Sequence, residues 1–336
     1  MLARILTTAV NAVLPIILLI ALGYLLKRRG FLKADFLKTG NQLVFKVCLP
    51  AMLFINVYDI ESFAAIRWDI VAYCVAAVLV IFTLGLATCL ATTKVPQRRG
   101  VILQCTFRSN FAIIGLSLAA ALGGEEAMAI AAIVSAFTIP VFNILAVIAL
   151  SVFVGGKRSV RSILGNIVKN PLILGVAAGL VCLGLRALQT GLFGETVFSL
   201  KGDCKFLYTA LSNLKSIASP FALIVLGGPF EFSAVKGLFK EIAVGTVWRI
   251  VLAPLLGVGG AILLTQVGLL QCGINEYPAL IALFGSPVAV SSAIMAGSMG
   301  NDEQLATQLV VWTSLCSIVT IFTQVCLLMG MGLLAV

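Results

Sequence analysis

The sequence contains no histidine, and charged residues make up only 11% of its 336 positions. Without histidine, Ser-His-Asp and Cys-His catalysis is excluded, and nearly all zinc chemistry with it. Carboxylates are scarce as well, and none falls at the middle of a long apolar run. That argues against a carboxylate-lined sodium site, a usual proton relay or an intramembrane enzyme. The nine cysteines (Cys48, Cys74, Cys89, Cys105, Cys182, Cys204, Cys272, Cys316 and Cys326) form no C-x-x-C pair. Most lie within apolar runs, where a thiol behaves as a small hydrophobe. The expectation is a protein that is not an enzyme, with no cofactor and no metal.

Apolar residues are what the chain has in excess: 61% of it, with a mean hydropathy of +1.13. A soluble chain runs roughly 45–50% apolar and about 25% charged. The charges bunch between long apolar runs, which predicts an all-α polytopic membrane protein. A transmembrane barrel would instead alternate apolar and polar residues in short segments. Ten spans are predicted, near 9–27, 41–59, 68–92, 100–122, 126–154, 163–187, 208–228, 240–267, 277–299 and 303–334. The first is read as a span, not as a removed signal, because no small-residue cleavage site and soluble domain follow it. Lys27, Arg28, Arg29, Lys33 and Lys38 crowd the first loop. Lys94, Arg98 and Arg99 lie in the third, Lys157, Arg158 and Arg161 in the fifth, and Lys236 and Lys240 in the seventh. Even-numbered loops are acidic or lack this excess, although the sixth mixes Lys201 and Lys205 with Glu195 and Asp203, and the odd-numbered ninth, with Asp302 and Glu303, lacks the expected base. Acidic residues contribute little to the rule, so both termini are expected outside. The net charge of +10 therefore points to the lipid bilayer as partner, not to nucleic acid.

One order of residues occurs twice. Segment 107–126 reads FRSNFAIIGLSLAAALGGEE, and segment 284–303 reads FGSPVAVSSAIMAGSMGNDE. Laid together without a gap, Phe107 meets Phe284, Ser109 meets Ser286, Asn110 meets Pro287, Ala112 meets Ala289, Gly123 meets Gly300 and Glu126 meets Glu303. Likewise PIILLIALG at 15–23 matches PLILGVAAG at 171–179, and Pro50 matches Pro220. Spans one, two and four thus correspond to six, seven and nine. Five spans per unit is odd, so the second copy must insert from the opposite side: an inverted repeat, 1–155 followed by 156–336, with the boundary near 155–162.

Paired, interrupted hydrophobic segments point to a transporter's binding site. The two segments are expected to break and cross near mid-membrane. Pro287 removes a backbone hydrogen bond and unwinds its helix, or merely kinks it. Ser291 and Ser292 can replace the lost partners or bind substrate, with Ala289 between them and Pro287. In the fourth span Gly115 and Ser117 hold the corresponding place, and a softer break is expected there. Asn110, beside Ser109, needs a partner in hydrocarbon, either another helix or a ligand. Asn143 is a second deep amide. Lys46, Arg108 and Arg249 lie inside spans, where they snorkel to the interface or form a cationic vestibule that attracts an organic anion. Hydroxyls along the tenth span, Thr313 and Ser314 among them, are read as packing contacts.

Several of these residues recur in a familiar order: Pro15, Leu22-Gly23-Tyr24 and Arg29-Gly30; Asn41, Leu49-Pro50 and Leu53-Phe54; Asn110 and Gly115-Leu116; Asn143; Arg249 and Pro254; and Pro287 through Ser292. In this order the chain resembles the auxin efflux carrier family of membrane permeases over nearly its whole length. The resemblance implies ten helices in two inverted five-helix repeats with crossed, broken helices 4 and 9. Spans 1, 2, 6 and 7 would form a scaffold, and spans 3–5 and 8–10 a transport domain. It also implies a secondary transporter of a small organic anion, such as a mono- or dicarboxylate, working by an elevator or rocking motion. The short loop between repeats looks like that of a bacterial inner-membrane permease, and a homodimer through the scaffold helices is compatible with it. The rivals are a sodium-coupled symporter of the related bile-acid type and a non-transporting membrane sensor.

Overall fold

The computed structural model describes residues 2–60, 67–154, 165 and 168–334, apart from the side chains of 2–6, 8–13, 112, 113 and 117. The expected repeat boundary and the Lys157, Arg158 and Arg161 loop lie outside the described residues, as does the side chain of Ser117.

The chain is all-helical. In order it forms α1 (Leu2–Arg28), α2 (Ala34–Tyr58), α3 (Trp68–Thr92), α4 (Pro96–Phe107), α5 (Leu116–Val152), α6 (Pro171–Phe193), α7 (Lys205–Gly227), α8 (Ala234–Gln266), α9 (Glu276–Gly285), α10 (Ser291–Ser298) and α11 (Glu303–Gly330). Among the described residues, seven helices are long and apolar enough to cross a membrane: α2, α3, the Leu118–Val152 stretch of α5, α6, α7, α8 and α11. Helices α4, α9 and α10 are short because the apolar runs that contain them are interrupted. Helix α5 is itself interrupted at Gly123 (φ −138°) and Gly124 (φ 69°, ψ −158°), the second a backbone state that suits only glycine. This is the expected turn between spans four and five. Helix α6 starts later than its apolar run suggests. Pro171 supplies a preset φ at the first turn, and Asn170 Oδ1 accepts the Leu172 N–H at 2.9 Å.

Two helices widen into a π-turn just ahead of a proline. In α2 the turn is Val44–Cys48, before Pro50; in α8 it is Trp248–Leu252, before Pro254. Proline lacks an N–H and crowds the carbonyl one turn back, and the wider turn relieves that crowding.

Helix α1 packs on α7, and α2 packs on α6. Glycine makes both approaches close. A Cβ at Gly23 would collide with the Ile224 carbonyl oxygen, and one at Gly179 would press on the Phe54 carbonyl oxygen. Gly23 and Gly179 are matched positions of the 15–23 and 171–179 segments. Phe54 and Ile224 each lie four residues after their matched prolines, Pro50 and Pro220. The two contacts therefore correspond residue for residue.

Candidate functional site

Two stretches of non-helical backbone meet inside the molecule. The first, Arg108 to Asn110, follows α4; the second, Ser286 to Val290, separates α9 from α10. They pair as an isolated antiparallel bridge, Ser109 against Val288. The Asn110 N–H donates to the Pro287 carbonyl at 2.8 Å, and the Ala289 N–H donates to the Arg108 carbonyl at 3.2 Å. A third donor of the segment, the Val288 N–H, bonds to Thr313 Oγ1 of α11 at 3.2 Å. Thr313 thus serves the break directly, a role its place in a run of hydroxyls did not reveal.

The first break is not where glycine suggested. It lies at Arg108–Asn110, where the chain leaves the helix, while Gly115 ends a π-turn, Phe111–Gly115, in which the Asn110 carbonyl accepts from Ile114 and Gly115 N–H groups. Gly115 is a packing position: a Cβ there would strike the Phe111 ring and approach the Ala282 carbonyl.

Four helix ends converge on the bridge. The C-terminal carbonyls of α4 and α9 carry partial negative charge with no intrahelical partner. Arg249, 1% exposed in the π-turn of α8, donates Nη1 to the Thr106 carbonyl at 3.1 Å and Nη2 to the Phe284 carbonyl. It ties both broken helices to α8 and neither snorkels nor lines the cavity described next. Lys46 is exposed on the outer face of α2.

A cavity of about 40 Å³ opens beside the bridge. One water requires roughly 10–15 Å³ on this measure, so it has room for about three. One wall carries most of the polar groups: Arg108, Ser109 and Asn110 from the first break, Asn143 from α5 and Ser291 at the start of α10, beside the apolar Ile139 and Phe142 of α5 and Ala289 and Val290 of the second break. The facing wall comes from other helices: Leu49, Met52 and Leu53 of α2, Leu172 of α6, and Ser219 and Ala222 of α7. Of the sequence-predicted residues, six meet here. Pro287 contributes its carbonyl to the bridge and does not line the cavity. Ser292 is buried behind it, its carbonyl accepting from Gln104 Nε2 at 2.9 Å.

Arg108 dominates the polar wall. It is 4% exposed, and its acceptors are all neutral: Asn143 Oδ1 at 2.8 Å, Ser291 Oγ at 3.0 Å, Gln104 Oε1 at 3.3 Å and the Met295 sulfur at 3.0 Å. Among the described residues no carboxylate pairs with it. A buried cation without a counter-ion is costly to keep in hydrocarbon. Beside it, Ser109 Oγ and Asn110 Nδ2 are buried and have no hydrogen-bond partner among the described residues. Buried polar groups are rarely left so unless they serve a ligand or hold strain. Sequence reasoning missed Gln104, Met295 and the whole facing wall. Gln104 alone left a signal, an amide one helical turn before Arg108.

The family model described as "Membrane transport protein" matches residues 8–159 and 156–323. The chain belongs to this family, which is that of the auxin efflux carriers. As a member of it, the protein is an integral membrane transport protein. Its curated relatives include an uncharacterized transporter of Methanothermobacter thermautotrophicus, 23% identical over 93% of this chain and 95% of that one. Another is an uncharacterized transporter of Methanocaldococcus jannaschii, 24% identical over 73% of this chain and 76% of its own length.

Proposed function

We propose that this transporter is a secondary permease for a small organic anion, which binds in the cavity beside the bridge. The observation that carries the reading is Arg108: a buried guanidinium with only neutral partners, facing a cavity, beside two polar groups with unused hydrogen-bonding capacity. An anion there supplies the missing charge and accepts from Asn110 Nδ2 and Ser109 Oγ. The helix that resumes at Phe111 and the helix α10 both start at the cavity, and their N-terminal dipoles favour the same sign. Arg249 cancels the opposing C-terminal ends.

The architecture proposed with it is ten spans in two inverted five-helix repeats, 1–155 and 156–336. The matched contacts Gly23–Ile224 and Gly179–Phe54 support it, as does the antiparallel pairing of the two breaks, which relates them by a local two-fold axis. The cavity lies between α2, α6 and α7 on one side and the broken helices with α5 on the other. Alternating access then follows from an elevator or rocking motion of the second group against the first. We place the protein in a bacterial inner membrane with both termini outside, on the loop charges.

The test is uptake of labelled carboxylates into proteoliposomes, in sodium-containing and sodium-free buffers, by the wild type and Arg108→Gln. Saturable uptake that Arg108→Gln abolishes is expected, with and without sodium. Strict sodium dependence favours the bile-acid-like symporter. Uptake of no carboxylate in either buffer overturns the proposal in favour of a sensor.

A further inference from the structure

The two walls of the cavity differ in a way that bears on which anion fits. The crossing supplies one cation and several hydrogen-bonding groups. The wall across from it supplies Leu49, Met52, Leu53 and Leu172, with Ser219 as its polar side chain. Ser219 Oγ sits 4.0 Å from the Met52 sulfur and offers a single hydroxyl. Among the described lining residues Arg108 is the one ionisable group.

We infer that the substrates are monocarboxylates with a short apolar body, and that the α2–α6 wall, Met52 foremost, sets their charge and chain-length selectivity. The inference rests on the anion-permease reading above. One carboxylate balances Arg108. A second carboxylate at the far end of the ligand would lie against three leucines and a thioether with no cation to meet it. Burying a charge unpaired is far more costly than burying a methyl group, which that wall favours. The body must also be short. The cavity holds about three waters, and its polar wall is fixed by the backbone bridge and by Arg108's four contacts. Adjustment is left to the apolar wall, where Met52 is unbranched, partly exposed and conformationally adaptable. The carboxylate is therefore read by the broken helices, and the body by helices outside that group. A ligand of the right length touches both groups at once.

The experiment is equilibrium binding to purified full-length protein in detergent at constant chloride, by calorimetry. The probes are acetate, propionate, butyrate and valerate, set against malonate, succinate and glutarate. Affinity is expected to rise about fourfold per methylene among the monocarboxylates, the effect of burying one CH₂, and then fall once the wall is reached. Each dicarboxylate is expected to bind at least about tenfold more weakly than the monocarboxylate of equal carbon number, one unmet charge being worth that much or more. Met52→Ala should move the chain-length optimum to a longer acid, and Met52→Lys should turn the preference toward dicarboxylates. If Met52→Lys does not fold, the wild-type series and Met52→Ala still decide. Dicarboxylates binding as tightly as monocarboxylates in the wild type would overturn this inference and leave the anion reading intact. An unmoved optimum in Met52→Ala would overturn the role of the wall. Binding of neither class, with Arg108→Gln indistinguishable from wild type, would overturn the anion reading itself.

Discussion

Asn110 and Pro287, 177 positions apart, are joined by one backbone hydrogen bond of 2.8 Å, from the Asn110 N–H to the Pro287 carbonyl. The bond uses the backbone of Asn110 and leaves its side-chain Nδ2 buried and without a partner among the described residues. Most polar residues in an apolar interior are held by the contacts that stabilise the fold; this amide is not.

That separation gives a clean prediction. Asn110→Ala removes no hydrogen bond of Nδ2 to the described residues, so the melting temperature should stay close to wild type. It should weaken anion binding by about 10- to 100-fold, the worth of one hydrogen bond to a charged ligand. Calorimetric titration and a thermal melt on the same monodisperse sample check both halves. A large loss of stability with unchanged affinity would make the amide architectural.

Arg108→Gln should split the two properties further. Glutamine keeps hydrogen-bonding capacity toward Asn143 and Ser291 while removing an uncompensated buried charge, a change often neutral or stabilising. The expected result is a melting temperature equal to or above wild type, with carboxylate affinity lowered more than about tenfold. A variant that melts early yet binds normally would contradict the proposed site.

Arg249→Met should do the reverse. It strands the Thr106 and Phe284 carbonyls, at about 1–3 kcal/mol for each buried unsatisfied group. The melting temperature should fall sharply, and Arg249→Lys should recover part of the loss, because a single ammonium cannot reproduce the planar fork. Thermal melts of the three proteins in one detergent provide the comparison.

The scaffold contact is tested by glycine. Gly23→Ala places a methyl group against the Ile224 carbonyl and should force α1 and α7 apart, lowering the yield of monodisperse protein. Gly184→Ala on α6, where a Cβ meets nothing within 4 Å, is the control. It should be neutral or slightly stabilising, since alanine suits a helix better than glycine. Size-exclusion profiles of the two variants give the answer.

The sequence by itself determined a good deal here. Apolar runs of spanning length force helices, because hydrocarbon offers no other partner for the backbone. Pro287 pointed to a break or a kink near its position, since it lacks the N–H that a helix would use. The repeated order of Phe, Ser, Ala, Gly and Glu located the partner segment, and Gly23 and Gly179, matched in sequence, are the positions where the structure brings helices into close contact. Tertiary structure decided the rest. The first break falls at Arg108–Asn110, where no glycine or proline marks it, because the bridge to Pro287 and Ala289 is a contact between distant parts of the chain. Arg108 and Arg249 look alike in sequence, each a cation in an apolar run. Packing alone sends one to a cavity and the other to two stranded carbonyls. Leu49, Met52 and Leu172 are ordinary apolar residues on apolar helices. Which of them faces lipid, core or cavity depends on helix rotation and on the close approach of α2 to α6, which local pattern does not encode.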